Sequence, residues 1–132
     1  MNKQKIISVV LRLIAAVIML QTLYFKFTAQ PESVYIFSKV GIEPWGRVAS
    51  GIAELVASVL LLLPTTIALG ALVGAGIMLG ALAAHVFILG IEVQGDGGQL
   101  FIYAFVVLIA CVVLLAIHFQ QLISYKRTLF KK

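Results

Sequence analysis

One carboxylate stands in a run otherwise fit for lipid: Glu54, in ASGIAELVASVLLLLP at residues 49–64. One imidazole, His85, stands in a similar run, ALAAHVFILG at residues 81–90. An ionisable group inside a membrane span costs several kcal/mol, so it faces the interior of a bundle, where it pairs or lines a path. A partly buried carboxylate near an imidazole can hold a polar head group or pass a proton. Glu54 is nine residues from Trp45 and nine from Leu63, which puts it near the midplane of its run. His85 lies four residues before the run's end, roughly 6 Å deep on the rise of a helix.

The neighbours of these groups follow helical spacing. Arg47, Ser50, Gly51, Glu54 and Ser58 recur every three or four residues and form one polar, small-residue stripe. On the first apolar run Arg12, Ala15, Met19, Thr22 and Lys26 share a face, with Arg12 and Lys26 toward opposite ends. Two readings of Glu54 follow, and they are compatible. In one it forms a structural ion pair with Arg12, whose depth differs by only about 5 Å on the helical rise. In the other it floors an outward-opening, ligand-binding cavity with His85 above it, Thr22 and Ser50 beside it, and Lys26 and Arg47 at the mouth. His85 also has a local reading, a hydrogen bond to a neighbour or to a loop carbonyl.

The remaining reactive types are less productive. His118 reads as interfacial, and it stands roughly 25–30 Å from His85 by helix rise, too far for the two to share one haem. No short spacing of ligands marks a metal site. No flavin, haem or iron–sulfur motif is visible, so no cofactor is read from the residues. Cys111 is the only cysteine. It excludes an internal disulfide and a two-cysteine relay within the chain, and it reads as packing.

These side chains need elements to position them, and the composition dictates which. The chain has 132 residues, 62% of them hydrophobic and 11% charged, with a mean hydropathy of +1.12. A soluble domain of this size could not cover itself with so few charges. Lipid must be the solvent for most of the surface. Four runs, about Ile6–Phe27, Trp45–Leu63, Thr66–Leu89 and Leu100–His118, meet the length of about 20 apolar residues a span requires. Spans this long are helices, because lipid leaves no partner for an unpaired backbone group. The predicted fold is all-α, a single domain over 1–132 built as an integral membrane four-helix bundle. The first run, about 20 residues without a small-x-small site, reads as a retained span and not as a cleaved signal.

Charge sets the expected orientation. The two ends carry Lys3, Lys5, Arg12, Lys126, Arg127, Lys131 and Lys132 and no acid. The long connections carry Lys26, Lys39 and Arg47 against Glu32, Glu43, Glu92 and Asp96. The positive-inside rule places both termini in the cytoplasm and both long loops outside. The net charge of +5 then reflects topology and attraction to anionic membrane lipids. The basic residues are split between the ends without a recognition motif, so no nucleic-acid partner is expected.

The connections carry their own signals. In QPESVYIFSKVG, Pro31 fits a helix first turn, Glu32 its positive end and Gly41 its stop. A short helix on the outer surface is predicted, with Val34, Tyr35, Phe37 and Val40 on its buried side. Pro44 fits another first turn, and Trp45 an interfacial belt. Gly70/Gly74 and Gly76/Gly80 form two small-residue strips for close helix approach. Asp96, in GIEVQGDGGQ, reads as a turn or cap residue for the fourth span. The tail HFQQLISYKRTLFKK reads as a continuation of the fourth helix.

TLYFKFT, PESVYIFS, EPWGR, GIAELVASVLLLLP with Glu54, GAGIMLGALAAHVFILG with His85, and DGGQLF together resemble the DoxX-like family of small four-span membrane proteins. The resemblance covers about residues 12–115. It implies a helical bundle in a bacterial cytoplasmic (inner) membrane, associated with oxidoreductase complexes and with quinone as the cofactor to look for. Three functions compete. The first is an accessory subunit of a membrane redox complex that binds a quinone-like or polar-headed molecule around Glu54 and His85, and is not a stand-alone enzyme. The second is a binding or transport protein for a small solute or lipid, with a homodimer supplying symmetry. The third is a scaffold or assembly factor for partner subunits.

Overall fold

A computed structural model describes residues 2–130, so Lys131 and Lys132 of the basic tail lie outside the described residues. Among the described residues six α-helices follow one another: α1 Lys3–Phe27, α2 Pro31–Val40, α3 Trp45–Leu62, α4 Ile67–Ala84, α5 Gln99–Ile117 and α6 Phe119–Leu129. A π-turn, His85–Leu89, extends α4, so the four long apolar stretches end at Phe27, Leu62, Leu89 and Ile117. α3 packs on α1 and α4, and α5 packs on α4 and α1, closing a ring of four helices.

The interior is built from small residues. Ala15, Ala57, Ala68, Ala71 and Ala110 are fully or almost fully buried, with Met19, Leu61, Val107, Cys111 and Leu114 filling the space between them. Membrane helices lack a hydrophobic drive toward one another, and such residues let backbones approach closely enough for dispersion to hold them. Ile6, Val17, Ile52, Leu72, Phe87 and Ile109 point outward, about half exposed or more. In water that surface would be untenable; in a bilayer it is the ordinary outside. The chain is a multi-pass membrane protein.

The α1–α3 pair is held at both ends by the same device. The last carbonyls of a helix have no partner in their own helix and carry its negative dipole end. Arg12, on α1, donates from Nε to the Leu61 oxygen at 2.6 Å and from Nη2 to the Leu62 oxygen at 2.9 Å, capping the end of α3. Arg47, on α3, donates from Nη1 to the carbonyl oxygen of Lys26, capping the end of α1. Because the helices run antiparallel, each arginine stands where its partner stops.

The two glycine strips divide. A methyl group on Gly70 would come within 2.7 Å of the Leu61 backbone nitrogen, and one on Gly74 within 2.8 Å of Cys111 Sγ. These two positions seat α4 against α3 and α5. Gly76 and Gly80 have open space around them, so the second strip makes no close helix approach, contrary to the sequence reading.

The hairpin between α3 and α4 marks one end of the bundle, with Ser8 of α1 and His118 beside it. There the fourth long helix does not run on. It breaks at His118, whose φ of −107° and ψ of 20° leave the helical region, and α6 turns under the hairpin. Gln121 accepts from the Ala68 amide at 2.9 Å and donates to the Pro64 oxygen at 2.9 Å; Tyr125 donates to the Thr65 oxygen. These bonds satisfy backbone groups that a straight α5 would leave bare.

Candidate ligand cavity

At the other end of the bundle, the loop end, the helices splay and α2 lies across the gap, touching α1, α3 and the π-turn. Pro31 opens α2, Glu32 sits in its first turn, and Gly41 ends it in the left-handed region at φ 92°. The face turned to the bundle is Ser33, Ile36, Phe37 and Val40. Tyr35, expected on that side, is more than a third exposed, and Lys39 Nζ lies 5.6 Å from its ring centroid. α2 is therefore a lid over the bundle and not only a surface helix.

Beneath it lies a cavity of about 360 Å³ whose walls come from all four long helices and α2. Most of the wall is apolar, from Ile18, Met19, Phe37, Ile77, Met78 and Ala104 among others. Thr22, Lys26, Ser50, Glu54 and His85 all stand in it. The sequence reading placed Arg47 here too, but Arg47 is not in the wall. It is 8% exposed, with Nε shared between the Glu43 carboxylate oxygens at 2.8 and 3.1 Å.

The predicted ion pair of Arg12 with Glu54 does not form. Arg12 is drawn to the carbonyls at the end of α3. Glu54, 4% exposed, pairs with Lys26, whose ammonium donates to Oε1, and accepts from Thr22 Oγ1 through Oε2 at 2.6 Å. Lys26 thus turns inward from the mouth of the cavity and rests 5.9 Å from the Phe37 ring centroid of the lid. Thr22 and Lys26 are one turn apart on α1, so a single face delivers both partners. The charge of the acid is cancelled inside the cavity.

His85 is held by its own turn. Its Nδ1 lies 3.0 Å from the Gly90 oxygen, while the Gly90 amide donates back to the His85 oxygen at 2.7 Å across the π-turn. Gly90 sits at φ 83°, a region a side chain would strain. A carbonyl oxygen only accepts, so Nδ1 is the donor in this bond, and Nε2 has no partner among the described residues. Phe101 meets the ring edge-on at 5.7 Å between centroids. The local reading and the cavity reading of His85 hold together, because one nitrogen serves the loop and the ring still stands in the cavity wall. Single π-turns inside helices are frequent at functional sites.

Sequence reasoning missed the α2 contribution and the pair at the start of α5, where Gln99 Nε2 donates to the Tyr103 hydroxyl at 2.9 Å and both line the cavity. Their one-turn spacing was a readable signal. The loop leading to them is tied by Asp96, as the sequence reading expected of a turn or cap residue: Oδ1 accepts from the Val93 and Gly98 amides at 3.0 and 2.8 Å, and Oδ2 from Leu100 at 3.2 Å.

Chemically, the cavity offers an apolar sleeve with hydroxyl, amide and imidazole groups and an internally neutral floor. That suits an amphipathic molecule with an uncharged, hydrogen-bonding head. The family model for DoxX matches residues 7–89, from α1 through the π-turn. No curated protein and no solved structure matches the chain.

Proposed function

This chain belongs to the DoxX family, and from that premise we propose that it binds a quinone-like molecule in the cavity under α2. In this reading it serves as an accessory subunit of a membrane redox complex, in a bacterial cytoplasmic membrane with both termini inside. One observation carries the reading: Glu54 and His85, the carboxylate and the imidazole of their spans, meet the same apolar cavity, and Glu54 enters it already neutralised by Lys26. A carbonyl or hydroxyl head can bond there without stripping water from an ion, and the volume lies in the range of small-molecule sites, about 300–1,000 Å³. The chain itself supplies no electron carrier in this reading; a partner subunit does. The distribution of basic residues supports the orientation.

The test uses purified protein in mild detergent and a short-tailed ubiquinone as probe. The expected result is saturable binding that is abolished by Met78→Trp, which fills the cavity and leaves the Glu54–Lys26 pair intact. Binding that survives in Met78→Trp protein of unchanged helical content would overturn the reading.

A further inference from the structure

The opposite end of the molecule holds a second cleft, of about 390 Å³, with nothing in common with the first. Lys5, Ser8, Val9 and Arg12 frame it from α1, with Ile67 of α4 and His118 completing it. Lys5, Ser8, Val9 and Arg12 are spaced to share one face of their helix.

The chemistry of this cleft is one-sided. All five acidic side chains of the chain, Glu32, Glu43, Glu54, Glu92 and Asp96, belong to the loop half. Both salt bridges among the described residues are there too. Around the cleft no carboxylate side chain balances Lys5 or Arg12. Helix ends do not cancel them either: the end of α3 takes two of the Arg12 donors, but α1, α4 and α6 begin at this end while only α3 and α5 finish, so positive helix ends are in the majority.

The donors are also unspent. A guanidinium has five N–H groups, and Arg12 uses one on Leu61 and one on Leu62, leaving Nη1 without a partner among the described residues. Lys5 Nζ has no partner among them either. Ser8, 3% exposed, is engaged with His118 Nε2 at 2.7 Å. Lys5 and Arg12 are seven residues apart, about 10 Å on the helical rise. That distance covers the step from the head-group layer to the edge of the hydrocarbon, where the phosphate of a lipid resides. Val9 and Ile117 in the cleft wall, with half-exposed Ile6 and Val10 beside them, continue the site as apolar surface.

We propose that this cleft binds the phosphate of an anionic phospholipid, held between Arg12 and Lys5, with its acyl chains along α1. Basic clefts between membrane helices are suited to this because the head group gains forked hydrogen bonds and keeps its tails in the bilayer. A free phosphate ion would meet the same donors, but it would gain nothing from the apolar wall.

Native mass spectrometry of the full chain in detergent distinguishes the two sources. With phosphatidylglycerol and phosphatidylcholine of identical chains supplied together, one phosphatidylglycerol is retained per chain in preference to phosphatidylcholine. Inorganic phosphate in excess does not displace it. Lys5→Gln, at a side chain with no bonding partner among the described residues, lowers retention about fivefold, the worth of one cation near an anionic surface. Arg12→Gln lowers it further, with helical content by circular dichroism as the check on folding. Equal retention of phosphatidylcholine, full displacement by inorganic phosphate, or retention unchanged in Lys5→Gln would each overturn the assignment.

Discussion

Arg12 and Arg47 do the same structural work at opposite ends of one helix pair, and their surroundings differ. Arg47 caps α1 while Glu43 holds its Nε, at an end of the molecule where three cations face five acids. Arg12 caps α3 with no carboxylate side chain on its side of the bundle. The same contrast runs through the packing. At the hairpin end Leu61, Leu114 and Cys111 fill the interior and Gly70 lets α3 and α4 touch. At the loop end the helices part around an apolar cavity in which Lys26 cancels the charge of Glu54, with Glu32 of α2 also in the wall. Compensated charge goes with an open, largely apolar cavity; uncompensated charge goes with a dense core and a basic cleft. The position of charge therefore separates what the two ends can bind more sharply than hydrophobicity does.

The largest effect should come from breaking that compensation. Lys26→Met leaves the Glu54 carboxylate deep in the bundle with only Thr22 beside it, and removing one partner of a buried pair costs about 3–5 kcal/mol. Glu54→Gln should cost less, because the stranded cation is at the last turn of α1 and a lysine can snorkel to the interface. Lys26→Met combined with Glu54→Leu should return stability to within about 1 kcal/mol of the parent. Unfolding in detergent, followed by circular dichroism, measures all three. A double variant as unstable as Lys26→Met alone would show that the pair is not the source of the effect.

The arginines allow a direct comparison. Arg12→Gln and Arg47→Gln each remove charged bonds to helix-end carbonyls, worth about 2 kcal/mol in total. In bilayers of phosphatidylcholine the two losses should be similar. In bilayers containing phosphatidylglycerol the Arg12→Gln loss should grow, because the parent gains a ligand the variant cannot hold, while the Arg47→Gln loss stays as it was. Melting temperatures of the two variants in nanodiscs of each lipid give the answer; a shift of equal size for both would erase the distinction between the ends.

The membrane-spanning helices were legible because lipid permits little else: a run of twenty apolar residues has one way to satisfy its backbone. That Glu54 and His85 stand within apolar helices was legible for the same reason. The partner of Glu54 was not. Periodicity put Arg12, Thr22 and Lys26 on one face of α1, and it could not show that the open carbonyls at the end of α3 compete for Arg12 and win. Nor could it show that Arg47 would be occupied by Glu43 and the end of α1, since both are contacts between helix ends that depend on how α1 and α3 are offset. The break at His118 was hidden as well, because the tail has good helical composition throughout and it is the bonds of Gln121 and Tyr125 to the hairpin that turn it.

The loop end compensates one carboxylate without a salt bridge, and this gives the smallest effect and a different kind of test. Burial disfavours the ionised form of Asp96, yet the Val93, Gly98 and Leu100 amides that donate to it, with His85 nearby, hold its pKa below the usual aspartate value. A carboxylate with a depressed folded pKa contributes stability that is fully present above its unfolded pKa, about 3.9, and lost as pH falls through the folded one. Between neutral pH and about 5 the turn before α5 should hold; below about 4 it should loosen. Amide exchange at Gly98 and Leu100, corrected for the intrinsic rate, should then accelerate while exchange at Val107 in the core does not. Asp96→Asn keeps an acceptor but has no charge to lose, so its exchange at the same amides should be independent of pH over this range. An acid-induced loosening that persists in Asp96→Asn would place the titrating group elsewhere, and Glu32 and Glu92, the remaining loop-end acids outside salt bridges, would be the next to replace.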